Sequence, residues 1–134
     1  MELAPYIFYY GRCEEALEFY KSVLGGKYEV MRNADSPMAD EVSADFKNKI
    51  MHASFTADGI SFMASDGREA KSIDPEAGNI SLSLAFKDRA EGERLFNVLA
   101  EGGKVKMSLG DAFWGGQFGI LDDRFGIEWM VVTP

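Results

Sequence analysis

The sequence predicts an α+β domain made of two βαβββ units, whose concave sheets form an incomplete curved barrel around a pocket. An internal repeat, a twice-read element order and a surplus of apolar sheet surface predict it. Gly25-Gly26-Lys27 recurs as Gly102-Gly103-Lys104, and Gly59-Ile60-Ser61-Phe62-Met63 recurs as Gly126-Ile127-Glu128-Trp129-Met130. Phe19 with Phe96, and Glu14 with Glu91, share the spacing of the two glycine pairs. Self-similarity of this kind, in one order along the chain, marks a duplicated unit. A four-stranded sheet with one helix across it leaves its second face uncovered, and two such faces can enclose a cavity.

Each element has a local reason. Leu3 to Tyr10 is aromatic and β-branched and reads as a strand, with Pro5 suited to its edge or its first residues. Glu14 and Glu15 place negative charge where a helix begins. Ala16, Phe19, Tyr20, Val23 and Leu24 then follow the spacing of one buried helix face, and Gly25-Gly26 ends it. Lys27 to Arg32 reads as a strand, and the polar stretch Asn33 to Asn48, with Pro37, as a long loop. Lys49 to Ala57 and Ile60 to Ser65 form a hairpin about Asp58-Gly59. The first module is thus 1–66, and residues 67–78, with Gly67 and Pro75 and no periodicity, are the linker.

The second module, 79–134, opens with Asn79 to Phe86, where Ile80, Leu82, Leu84 and Phe86 alternate with small residues. Asp88 and Glu91 form a capping-box-like pair before a helix that buries Leu95, Phe96 and Leu99. Lys104 to Leu109, Ala112 to Leu121 and Ile127 to Val132 are the remaining strands.

The composition narrows the function. A chain that is 46% hydrophobic supports a packed core, and its net charge of −8 with dispersed basic residues opposes binding to nucleic acid or anionic membranes. No apolar run is long enough to span a bilayer, and the start does not read as a secretory signal. The single Cys13 fits a reducing compartment, so the chain reads as cytoplasmic.

With that order established, the chain resembles the vicinal oxygen chelate superfamily of glyoxalase I and the bleomycin-resistance proteins, and within it the PhnB-like group. The residues that carry the resemblance run from Tyr9-Tyr10-Gly11-Arg12-Cys13-Glu14-Glu15-Ala16-Leu17-Glu18-Phe19-Tyr20 through Met51-His52-Ala53 and Met63-Ala64-Ser65-Asp66. Phe113-Trp114-Gly115 and Asp123-Arg124-Phe125-Gly126 complete it. The group's other label, 3-demethylubiquinone methyltransferase-like, has no counterpart in a Gly-rich turn that would hold S-adenosylmethionine. Metal-dependent relatives supply ligands from the first and last strands of each unit. Carried onto this chain, those positions are Pro5, Met63, Asn79 and Met130, which make a poor set for a hard divalent ion. One histidine and one cysteine also rule out zinc sites rich in either residue.

No metal and no cofactor is therefore expected, and no catalytic residue is assigned. Tyr9, Met63, Asn79, Trp114 and Met130 are expected on or beside the concave faces, where methionine and aromatic rings suit a partly apolar molecule. Trp129 alternates with Met130 and is expected beneath the helix layer. Phe113 to Gly119 is expected to wall the pocket, with Gln117 as a polar contact, or to pack against a second subunit. His52 reads as a hydrogen-bonded histidine on a sheet face or, with a partner, as a general base. The resulting expectation is a metal-free binding protein for a small organic molecule, homodimeric by the resemblance. The alternative is a metal-independent lyase, isomerase or transferase acting on a carbonyl-bearing substrate, and a divalent-metal glyoxalase or dioxygenase ranks third.

Overall fold

The computed structural model describes residues 1–37 and 39–134. They form two compact units, Met1–Ser72 and Ile73–Pro134. The first holds β1 (Tyr6–Phe8), α1 (Cys13–Leu24), β2 (Lys27–Arg32), β3 (Ile50–Ala57) and β4 (Ile60–Ser65). The second holds β5 (Leu82–Ala85), α2 (Arg89–Ala100), β6 (Lys104–Asp111), β7 (Gln117–Asp122) and β8 (Glu128–Thr133). Strand order is β1-β4-β3-β2 in one sheet and β5-β8-β7-β6 in the other. The first strand of each unit pairs parallel with its last, and the remaining pairs are antiparallel. The α+β class and the duplicated βαβββ order are therefore both present.

The repeated Gly-Gly-Lys has a physical cause in both units. A β-carbon on Gly26 would stand 2.2 Å from the Thr56 carbonyl oxygen of β3, and one on Gly103 would stand 2.0 Å from that of Asp122 in β7. The chain leaving each helix passes so close to the neighbouring strand that only glycine fits.

The two helices begin differently. Asp88 caps α2 locally, its Oδ2 accepting from the Glu91 N–H at 3.1 Å, as the D-x-x-E spacing predicts. Arg12 makes no side-chain cap for α1. Asp66, just beyond β4 and 1% exposed, does that work from a distance. Its Oδ1 accepts from the Gly11 and Cys13 N–H groups at 2.7 and 2.8 Å, and its Oδ2 from Ile50 at 2.8 Å. One carboxylate thus joins the start of α1 to the start of β3.

Under α1, Tyr20 meets Phe55 and Phe62 edge-on, and those two rings stack with centroids 5.1 Å apart. In the second unit Leu95, Phe96 and Leu99 of α2 are buried along with Trp129 and Val131 of β8, as expected for Trp129.

Several boundaries differ from expectation. The stretch 33–48 contains three single 3-10 turns, Asn33–Asp35, Ala39–Glu41 and Ala44–Phe46, while Met38 within it lies outside the described residues. The first strand starts only at Tyr6, just after Pro5, which has no N–H to contribute. The fifth starts at Leu82, leaving Asn79 and a well-exposed Ile80 outside the sheet. The expected strand from Ala112 to Leu121 is instead a hairpin turn followed by a strand. Gly115 and Gly116 adopt left-handed φ values of 101° and 71°, and the Ala112 N–H donates to the Gly116 carbonyl at 2.9 Å.

Candidate functional site

Each sheet has a face turned toward its own helix and an opposite, open face. On the first sheet Ile7, Ala64, Ala53 and Val30 share a row on the helix side. The rows on either side of it face the other way. Tyr6, Met63, Ser54 and Glu29 form one, and Phe8, Ser65, His52 and Met31 the other. The open face thus carries three aromatic rings and two thioethers. Tyr6, Phe8 and Met31 are each between 41% and 45% exposed, an unusual amount for large apolar side chains placed together.

Its centre is polar. Tyr6 Oη and His52 Nδ1 lie 2.9 Å apart, with ring centroids 5.6 Å apart, and Phe8 packs on Tyr6 at 5.3 Å. Burial raises the Tyr6 phenol above its ordinary pKa. The phenol therefore keeps its proton at neutral pH.

The expected site residues divide between the two sides of their sheets. His52 and Met63 stand together on the open face of the first sheet, and Met130 on the open face of the second. Tyr9 does not join them. It is 1% exposed, follows Ile7 on the helix side, and its hydroxyl bonds that of Tyr20 at 3.3 Å. Gln117 also faces a helix, donating from Nε2 to Glu93 on α2 at 3.1 Å and accepting from the Thr133 hydroxyl at 2.9 Å. Asn79 is exposed outside the sheet, and Ser83 is the residue in register with Met130. Trp114 stands at the tip of the β6–β7 hairpin, 58% exposed, lining an apolar cleft of about 390 Å³ with Met107, Phe113 and Phe118.

Tyr6, Phe8 and Met31 escaped the sequence reading. Tyr6 to Tyr10 is apolar or aromatic on both faces, so it shows no alternation from which to read a side. Cys13 is fully buried at the start of α1. Burial pushes its thiol up, and the negative charges of Asp66 and Glu14 add to the effect, which suppresses the thiolate.

The positions in this fold that would hold a metal offer little for one. In the first module Tyr6 and Met63 are in register, and in the second Ser83 and Met130. A phenol, a hydroxyl and two thioethers do not fit a hard divalent ion. Among the described residues no group of three or more His, Cys, Asp or Glu is placed to hold a metal. The acids that do gather on the second sheet surround a cation already present. Lys106 Nζ lies 2.7 Å from Glu128 Oε2, 3.2 Å from Asp122 Oδ1 and 3.5 Å from Glu76 Oε1, and Ser81 donates to the other oxygen of Glu128. The hydrogen bond from Lys106, then that from Ser81, holds the Glu128 carboxyl below its usual range.

Two sheets of this topology, each with a helix on one face, define a protein of the glyoxalase/bleomycin-resistance fold. Solved neighbours with that fold include a glyoxalase-related enzyme from Fulvimarina pelagi, 17% identical, covering all of this chain and 88% of its own, with a TM-score of 0.64. Within that class the chain belongs to the family described as 3-demethylubiquinone-9 3-methyltransferase, the PhnB-like group, whose model matches residues 1–132. It is similar to protein PA1353 from Pseudomonas aeruginosa, 43% identical over 99% of this chain and 97% of that one, with a TM-score of 0.82. It is also similar to YjdN of Escherichia coli, 29% identical over 98% of this chain and 94% of YjdN. A PhnB protein from Bacillus cereus, 24% identical over the whole of both chains, superposes with a TM-score of 0.80. No helix of the described residues is long and apolar enough to cross a membrane.

Proposed function

We propose that this chain is a small-molecule-binding protein whose ligand lies on the open face of the first sheet and is held without a metal. The observation that carries the reading is the Tyr6–His52 pair set among the half-exposed Phe8 and Met31 and the neighbouring Met63. Rings and thioethers supply adaptable apolar contact, and one polar pair fixes orientation. The poor donor set of the metal positions supports the metal-free part, as does Lys106, which already neutralises the clustered acids of the second sheet.

A panel of aromatic and cationic compounds titrated in the presence of EDTA tests this. Saturable binding that Phe8→Ala or Met31→Ala weakens is expected. Binding that appears only after a divalent ion is restored sinks the metal-free reading, and no binding anywhere sinks the whole. Dimerisation with a second copy and a cytoplasmic location belong to the same proposal, supported by the family resemblance and by the lone, buried Cys13. So does a division into modules 1–66 and 79–134 with 67–78 between them.

The second reading is a metal-independent enzyme on a carbonyl-bearing substrate. His52 favours it, since Nε2 has no hydrogen-bond partner among the described residues and is left for a reacting group. Turnover of such a substrate that His52→Ala abolishes would establish it.

A further inference from the structure

We infer that the cleft beside Tyr10 is a second binding site, which takes a small aryl oxyanion, with benzoate as its simplest form. The cleft lies within the first unit, past the end of β1, and does not depend on the reading above.

A left-handed tyrosine marks the place. The Arg12 N–H donates to the Tyr9 carbonyl at 3.2 Å and closes a turn with φ values of 50° at Tyr10 and 110° at Gly11. Tyr10 is the one described residue other than glycine with a positive φ. Gly or Asn would serve such a turn at less cost, so the strain points to a use for the ring. That ring stacks on Phe8, with centroids 6.0 Å apart and planes at 20°, and it carries the Lys71 ammonium 5.0 Å from its centroid.

Charge sets the class of ligand. The cleft, of about 550 Å³, is lined by Tyr10, Phe46 and three cations, Arg12, Lys49 and Lys71, against one acid, Asp45. Arg12 is engaged with Glu15 at 3.2 Å. The two ammoniums are not so engaged. Lys49 Nζ donates one of its three hydrogens to the Gly11 carbonyl at 2.8 Å, and Lys71 Nζ rests on the Tyr10 ring. Among the described residues neither is in an ion pair with a carboxylate. Asp45 accepts from the Ser43 hydroxyl at 2.5 Å instead. Glu14, which feels the charge of Lys49, is held by Arg32 at 2.6 Å.

Tyr10 and Gly11 are consecutive, so one turn holds both ammoniums. In a chain of net charge −8 that is a local reversal of sign, which favours an anion. Tyr10 and Phe46 supply ring surface next to the charge. A flat aromatic body with an oxyanion at its edge satisfies both halves.

Benzoate, benzamide and acetate separate those halves when each is titrated into the full 15N-labelled chain and followed by amide NMR. Benzoate should move the resonances of Gly11, Lys49 and Lys71 saturably. It should bind more tightly than benzamide, which has the ring without the charge, and than acetate, which has the charge without the ring. Lys71 is exposed and makes no hydrogen bond among the described residues, so Lys71→Gln leaves the fold intact. This variant should bind benzoate roughly two- to fivefold more weakly, the worth of one exposed ion pair, with benzamide unaffected. Added salt should shrink the advantage of benzoate over benzamide. Equal binding of benzoate and benzamide overturns the anion preference, and equal binding of benzoate and acetate overturns the role of the ring. Shifts confined to other residues, or a Lys71→Gln chain that binds benzoate as the native one does, overturn the site. Binding on the open face is read from Met31 and Met63 and stands or falls separately.

Discussion

The two modules share a backbone and differ in what their open faces carry. Both leave their helix through a Gly-Gly-Lys whose second glycine grazes a strand carbonyl, and both order their strands alike. The first module then presents aromatic rings, thioethers and a Tyr–His pair, while the second presents an ammonium among three carboxylates. At the helix exit, where the fold leaves no room for a side chain, the two copies agree, and on the open faces they have diverged. The shared positions therefore report on architecture and the divergent ones on chemistry.

The largest effect should come from Asp66→Ala, which strands three backbone N–H groups next to a buried site. Chemical denaturation should show a loss of about 4 kcal/mol, against about 1 kcal/mol for Asp88→Ala, whose cap is exposed and local. Similar losses for the two would contradict the claim that the helices are anchored differently. Next come the glycines. Gly26→Ala and Gly103→Ala should each cost about 3 kcal/mol because backbone must move, and Gly26→Ala should cost about 1 kcal/mol more, since only Gly26 of the two has a left-handed φ, 87°. Gly25→Ala has open space around its β-carbon and should cost only the left-handed backbone penalty, about 1 kcal/mol.

A smaller effect distinguishes the open faces by pH. Glu128 has a folded-state pKa below its ordinary 4.5 because of Lys106. Its contribution to stability is complete above about 4.5 and is lost as pH falls through the lower folded value. Lys106→Met should therefore destabilise the protein at pH 7 and flatten the fall in melting temperature between neutral and acid pH. A variant with an unchanged acid slope would show that the cluster does not act as a charge network. Smallest of all, Tyr6→Phe should change stability by no more than about 1 kcal/mol in a denaturant melt, because Tyr6 is half exposed and its ring remains.

Legibility in the sequence followed locality. The D-x-x-E cap of α2 and the alternation that buries Trp129 are written in neighbouring residues and could be read directly. Asp66 could not, because its partners Gly11, Cys13 and Ile50 are brought to it only by the fold. The open face was half legible. His52 and Met63 sit in strands with a readable side, whereas Tyr9 was placed on the wrong face because Tyr6 through Tyr10 offers bulky groups at every position. Gln117 was drawn inward by Glu93 and Thr133, partners that no strand pattern reveals.

The central claim is that the first module's open face binds a ligand and needs no metal to do it. Methionine methyl NMR tests it most directly, since Met31 and Met63 report on that face and Met107 and Met130 on the second module. Acetophenone added in the presence of EDTA should move the methyl resonances of Met31 and Met63. Resonances that stay fixed until a divalent ion is supplied, or movement confined to Met107 and Met130, would contradict it.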